Sequence, residues 1–188
     1  LKPPQRSHLQ PTAQPTSHRE TMATSMRVTQ HLWFEKDMDA ALQLYASLIP
    51  GSAIHASYTL PEVPPPEGCP PGTCKVAEFS LGDQRYMAIE AGPLDPFNHS
   101  FSIMVEVDTQ EEIDRLWEAL GEGGAYEPCG WLKDRWGLSW QICPKKFGEW
   151  MTHPDVEVRR RALAAAMQMP GKLILADLEA AVNTSASA

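Results

Sequence analysis

The stretch 100–124, "SFSIMVEVDTQEEIDRLWEALGEGG", changes its hydrophobic period halfway. Over 100–107 the apolar residues alternate: Phe101, Ile103, Val105 and Val107 fall on one side, and Ser100, Ser102, Met104 and Glu106 on the other. That is the pattern of a half-buried strand. From Asp108 onward the period lengthens. Ile113, Leu116, Trp117 and Leu120 recur at helical spacing until the glycines stop the helix. The same grammar stands earlier in the chain. "VTQHLWF" (28–34) reads as a strand, and "DMDAALQLYASLIPG" (37–51) carries Ala41, Leu44, Tyr45 and Leu48 at helical spacing before Pro50 and Gly51. Laid over one another, Tyr45 falls on Trp117, Leu48 on Leu120 and Gln30 on Ser102.

Each helix is followed by strand patterns. The first has "AIHASYTL" (53–60), "CKVAEFSL" (74–81) and "RYMAIEAG" (85–92), with hairpin character in "LGDQ"; the second closes on "LSWQIC" (138–143). The fold class is therefore α+β, built from tandem βαβββ modules over about 26–95 and 96–150 that form one domain. A C-terminal helical extension follows over 151–182, with Leu173, Ile174, Leu178 and Val182 on an apolar side able to clamp a neighbouring module. Residues 1–25 are rich in Pro, Gln, Ser and Thr without a hydrophobic period and are expected to be a disordered N-terminal extension; 183–188 read as a disordered tail.

Composition narrows the partners. A chain of 188 residues that is 43% hydrophobic can bury one core. Its net charge of −8 disfavours nucleic acid and anionic membrane surfaces. No apolar run approaches the roughly 20 residues that cross a bilayer. The four cysteines, Cys69, Cys74, Cys129 and Cys143, complete no zinc pattern and read as reduced thiols of a cytoplasmic protein. "CPPGTC" reads as an exposed loop between strands, its prolines barring ladder bonds.

Strand alternation groups side chains by face. In 138–143 Leu138, Trp140 and Ile142 oppose Ser139, Gln141 and Cys143; in 85–91 Tyr86, Ala88 and Glu90 oppose Arg85, Met87 and Ile89; Gln30 shares a face with Leu32 and Phe34. Polar groups are expected on the face away from each helix. A single sheet turns that face to solvent. Two sheets curling together enclose a pocket lined by Gln30, Glu90, Ser102 and Gln141. An uncovered face on each module also predicts a homodimer, with modules exchanged as one way of building it.

The tandem unit resembles the vicinal-oxygen-chelate superfamily of glyoxalases, extradiol dioxygenases and bleomycin- and fosfomycin-resistance proteins. Within it the chain is similar to the PhnB-type family, often labelled 3-demethylubiquinone-9 3-methyltransferase. The motifs are "HLWF…AALQLYASLIPGS", "GPLDPFNHSFSIMVEVDTQEEIDRLWEAL", "CGWLKDRWGLSWQICP" and "AMQMPGKLILADLEAA". The resemblance implies a divalent-metal position at one side chain from the first and last strand of each module, which correspond to Gln30, Glu90, Ser102 and Gln141. Gln30, Glu90 and Gln141 would be the ligands of a zinc, manganese, nickel or iron ion if one is bound. Ser102 and Gln141 depart from the superfamily's His and Glu. One carboxylate without an imidazole compensates a divalent charge poorly, so a metal-free pocket stands as the alternative.

Two functions stay open. One is an enzyme in which Glu90 serves as general base or as a ligand of a weak metal site, in lyase, isomerase or dioxygenase-type chemistry on a small oxygenated molecule. The other is a protein that sequesters a small aromatic compound without catalysis. Trp131 and Trp136 are expected to roof the pocket and Trp140 to lie in the core. His31 is expected to pack on the face opposite Gln30, His99 to lie in a loop, and Glu106 to be solvated. Asp134 and Arg135 are expected to pair and hold the turn. The methyltransferase label finds no glycine-rich strand-turn-helix, since "GEGG" (121–124) follows a helix instead of opening one.

Overall fold

The computed structural model describes residues 26–61 and 74–184. The expected N-terminal extension, the tail from 185 and all of "CPPGTC" but Cys74 lie outside the described residues. The first module runs β1 (Gln30–Phe34), α1 (Met38–Leu48), β2 (Ala53–Thr59), β3 (Lys75–Leu81) and β4 (Gln84–Glu90). The second runs β5 (Ser102–Val107), α2 (Gln110–Gly121), β6 (Ala125–Tyr126), β7 (Trp131–Lys133) and β8 (Ser139–Pro144). Their sheets have the same permuted order, β1-β4-β3-β2 and β5-β8-β7-β6, with the first strand of each parallel to the last. These are the tandem βαβββ modules that the repeat predicts, in the arrangement that the resemblance to glyoxalases and bleomycin-resistance proteins implies. β6 and β7, of two and three residues, are too short to leave an alternation in the sequence.

Both helices form where the apolar stripe is widest. α2 starts on a capping box, Thr109 accepting from the Glu112 amide while the Glu112 carboxylate accepts from the Thr109 amide, and it buries Ile113, Leu116, Trp117 and Leu120. α1 buries Met38, Ala41, Leu42 and Tyr45, so its stripe is rotated slightly from the expected one; Leu44 and Leu48 pack at the margin. These stripes meet in one core shared by both sheets. The rings of Tyr45, from α1, and Trp140, from β8, lie edge to face at 4.9 Å. Trp140 is fully buried, as expected.

Since the helix-covered faces converge on that core, each sheet is left with an outer face. Parity assigns His31, Trp33, Met87 and Ile89 to the outer face of the first sheet, and Ser102, Met104, Glu106, Gln141 and Cys143 to that of the second. Phe101 ends outside the apolar row, 38% exposed, because the strand begins one residue later.

β8 runs directly into the C-terminal helices α3 (Lys145–Met151), α4 (Val156–Gln168) and α5 (Leu175–Asn183). Leu173, Leu178 and Ala166 bury Cys143, and the amides of Cys129 and Gly130 donate to the carbonyls of Met169 and Gly171. The apolar side of the extension thus packs on the second module of its own chain. It covers Cys143 on the outer face, while Glu106 stays exposed, as expected, and Ser102 and Gln141 stay half-exposed.

A polar face with an aromatic wall on the second sheet

β5 and β8 place Ser102 and Gln141 side by side, and the Gln141 amide nitrogen donates to the Ser102 hydroxyl oxygen at 2.8 Å. That bond leaves the Ser102 O–H as a donor and the Gln141 Oε1 as an acceptor. Trp131 of β7 is the cross-strand partner of Gln141, so its half-buried indole stands on the same face. Ser139, paired with Ser102 on one side and Lys133 on the other, is fully buried, and its hydroxyl has no partner among the described residues.

A second polar pair borders Trp131. His99, in the turn before β5, places Nε2 2.7 Å from the Oε2 of Glu127, and its ring centroid lies 5.8 Å from that of Trp131. The Glu127 amide donates to the Trp131 carbonyl at 2.9 Å, and Lys133 Nζ lies 3.7 Å from Oε1 of Glu127. Glu127 and Lys133 escaped the sequence reading because the short β6–β7 hairpin brings them to His99, and nothing in the periodicity announces it.

The turn "KDRWGLSW" is held from inside. Asp134, only 2% exposed, accepts from the amides of Trp136 (2.9 Å) and Leu138 (3.1 Å), from Trp140 Nε1 (2.9 Å) and from Tyr45 Oη (2.5 Å). Burial raises its pKa, and these four donors offset only part of that rise. Burial, then Asp134 itself, holds the Tyr45 phenol well above its usual range. The expected Asp134–Arg135 pair does not form. Arg135 points outward to Glu122 at 3.2 Å and lies over the Trp136 ring. A carboxylate with four donors in the core has no need of the neighbouring guanidinium.

The expected pocket is redistributed. Ser102, Gln141 and Trp131 come together on one face. Gln30 and Glu90 do not join them, because Gln30 shares the parity of buried Leu32 and Phe34, and Glu90 is the cross-strand partner of Phe34. Both stand on the α1 side of their sheet, which corrects their expected placement. Glu90 accepts from the first amide of α1, that of Met38, at 2.8 Å and lies 3.5 Å from Lys75 Nζ. It has the position of a helix-terminus acceptor. Trp136 turns away from Trp131 toward Tyr45, with ring centroids 5.8 Å apart, and lines a separate 180 Å³ cleft with Trp33, Phe97 and Arg135. His31 is exposed, not packed, on the edge strand β1.

The metal implied by the superfamily does not fit these residues. Gln30 and Glu90 stand on the core side of the first sheet and Gln141 on the outer side of the second, and the one carboxylate is engaged by Lys75 and an amide. Among the described residues no three His, Cys, Asp or Glu side chains gather as ligands.

Solved structures of similar proteins cover just under two thirds of this chain. A putative 3-demethylubiquinone-9 3-methyltransferase, the PhnB protein of Bacillus cereus, is 29% identical with a TM-score of 0.53, over 63% of this chain and 99% of its own. Protein PA1353 of Pseudomonas aeruginosa shares the fold at 24% identity and a TM-score of 0.50, over 64% of this chain and 98% of its own. No curated protein matches. The family model described as 3-demethylubiquinone-9 3-methyltransferase matches residues 26–143, and the chain belongs to that PhnB-like family.

Proposed function

We propose that the chain binds a small, oxygenated, partly aromatic molecule on the outer face of its second sheet, without a metal. The observation that carries this reading is the Gln141–Ser102 pair beside Trp131. The pair offers one donor and one acceptor, which complements a ligand with a carbonyl next to a hydroxyl. Trp131 supplies a rigid apolar surface for a ring, and the unpartnered Ser139 hydroxyl adds a polar atom at the floor. Methyl transfer is not part of the proposal despite the family's label. The turns that open α1 and α2 carry Glu35, Lys36 and Asp37, and Asp108 and Thr109, where a nucleotide-type cofactor needs closely spaced glycines.

The same proposal includes a homodimer. The outer faces carry apolar groups such as Met104, 53% exposed, and the edge strands β1 and β5 are paired on one side only, with β4 and β8, among the described residues. A second copy would lay its first sheet against this face and close the pocket. No helix among the described residues is long and apolar enough to cross a membrane. The cytoplasmic location expected from the reduced thiols belongs to this proposal as well.

Tryptophan fluorescence titration with aromatic hydroxy-carbonyl compounds tests the reading, in wild type, Trp131→Phe and Gln141→Ala. Saturable quenching that weakens in both variants is the expected result. Equal quenching in all three would remove the site from this face.

A further inference from the structure

Two hydrogen-bonded pairs flank Trp131, and only Ser102–Gln141 has a place in the binding reading. We propose that the other, His99 with Glu127, is a proton-transfer pair, and that the substrate class is a small aromatic carbonyl compound with an ionisable C–H beside the carbonyl. This rests on the ligand site described under Proposed function and adds chemistry to it.

The geometry assigns the roles. Glu127 is held at both ends, its amide by the Trp131 carbonyl and its Oε1 near Lys133, while Oε2 meets His99 Nε2 at 2.7 Å. A carboxylate at Nε2 selects the tautomer that carries its proton there. Nδ1, which has no hydrogen-bond partner among the described residues, then keeps its lone pair. The turn that carries His99 is fixed by Asn98, whose Oδ1 accepts from the amide and the hydroxyl of Ser100. Two residues after Ser100 comes Ser102. The base and the oxygen-binding pair therefore both neighbour Trp131, His99 through its ring and Gln141 as its cross-strand partner.

The step balances without a co-reactant. Nδ1 takes the proton from the carbon beside the carbonyl, the C–H electron pair becomes the C=C bond, and the carbonyl π pair moves onto oxygen. The Ser102 O–H can donate to that oxygen, and Glu127 stabilises the imidazolium that forms. The imidazolium then returns its proton, either to the enolate oxygen, giving the enol, or to carbon, after which the base is restored. If the imidazolium exchanges with solvent in between, the carbon acquires a solvent hydrogen.

A merely structural role would predict something different. His99 is 53% exposed at the side chain, and an exposed pair of this kind adds little to stability, so the fold does not depend on it. His99→Gln and Glu127→Gln should both fold.

The test has one arm that needs no ligand. Long-range ¹H–¹⁵N correlation of the His99 ring near neutral pH should show the neutral form protonated at Nε2 in wild type, with that preference lost in Glu127→Gln. A wild-type ring protonated at Nδ1 overturns the proposal. The second arm uses phenylpyruvate in deuterated buffer, with exchange of its methylene protons followed by NMR. Wild type should accelerate exchange over buffer, and each variant should lose about 10²-fold or more of that acceleration, the usual scale for a general base, while still being quenched by the compound. Exchange in wild type no faster than in His99→Gln, with binding intact, overturns the proposal alone. Failure of phenylpyruvate to quench wild type at millimolar concentration counts against the ligand site itself, and the substrate class falls with it.

Discussion

Tyr45 Oη donates a 2.5 Å hydrogen bond to Oδ2 of Asp134, joining the helix of the first module to the turn that carries the second module's aromatic residues. Trp140 donates to the same oxygen at 2.9 Å, so one buried carboxylate fixes both modules and the turn after Trp131. Removing that carboxylate would leave three buried donors and one half-buried donor unpaired. Asp134→Ala should cost about 3–5 kcal/mol, the scale for breaking a buried charged network, and Tyr45→Phe about 1–2 kcal/mol. Chemical denaturation of both single variants and the double variant should give a coupling energy well above zero. Additive losses would mean that the contact does not link the modules.

The same carboxyl gives stability a pH dependence of definite sign. Its pKa in the fold is raised by burial. Its contribution is therefore fully present below the ordinary Asp value of about 3.9 and is lost as pH rises through the higher native value. Relative to Asp134→Asn, wild type should lose stability as pH increases from the unfolded Asp range through that window. Parallel melting curves of the two proteins across mildly acidic pH check the slope, and the opposite slope would show that the four donors outweigh burial.

Much of the fold was legible because the sequence wrote it twice. Two stripes at helical spacing, each entered from an alternating strand, specified the modules, but the register that laid Tyr45 on Trp117 also laid Gln30 on Ser102, and those two stand on opposite faces of their sheets. The site was legible only in part. Gln141 and Ser102 could be grouped because they lie on strands whose apolar parity is clear, and Trp131 joined them only as an aromatic residue expected to roof the pocket. Gln30 and Glu90 misled because their own strands already announced the buried parity through Leu32, Phe34, Tyr86 and Ala88, yet the superfamily's ligand positions were laid on them. Glu127 was invisible, since it lies in the connection between two strands too short to have a period to read.

Glu90 and Gln141 should consequently behave as independent positions. Gln141→Glu should shift stability by the same amount in wild type and in Glu90→Gln, within the roughly 0.3–0.5 kcal/mol scatter of distant sites. Glu90→Gln alone should weaken the start of α1 by about 0.3–1 kcal/mol. A coupling beyond the scatter in denaturant melts would bring the two side chains back to one site.

Cys143 reports on the extension. Burial under Leu173 and Leu178, with Glu106 nearby, pushes its thiol up to about 11. At pH 8 it should resist iodoacetamide while half-exposed Cys129 and Cys74 react. Leu178→Ala should unmask it, its rate rising toward that of the other two. Mass spectrometry of the labelled peptides gives the order directly, and early labelling of Cys143 in wild type would mean that α5 does not seal that end of the sheet.

The central claim is that the ligand face is the outer side of the second sheet near Trp131. The most direct measurement is chemical-shift mapping on ¹⁵N-labelled protein during titration with aromatic hydroxy-carbonyl fragments. The account predicts shifts concentrated at Ser102, the Gln141 side-chain amide, the Trp131 indole and Lys133, with Gln30 and Glu90 unmoved. Shifts gathered instead at Gln30 and Glu90, or in the cleft of Trp33, Phe97 and Trp136, would contradict it.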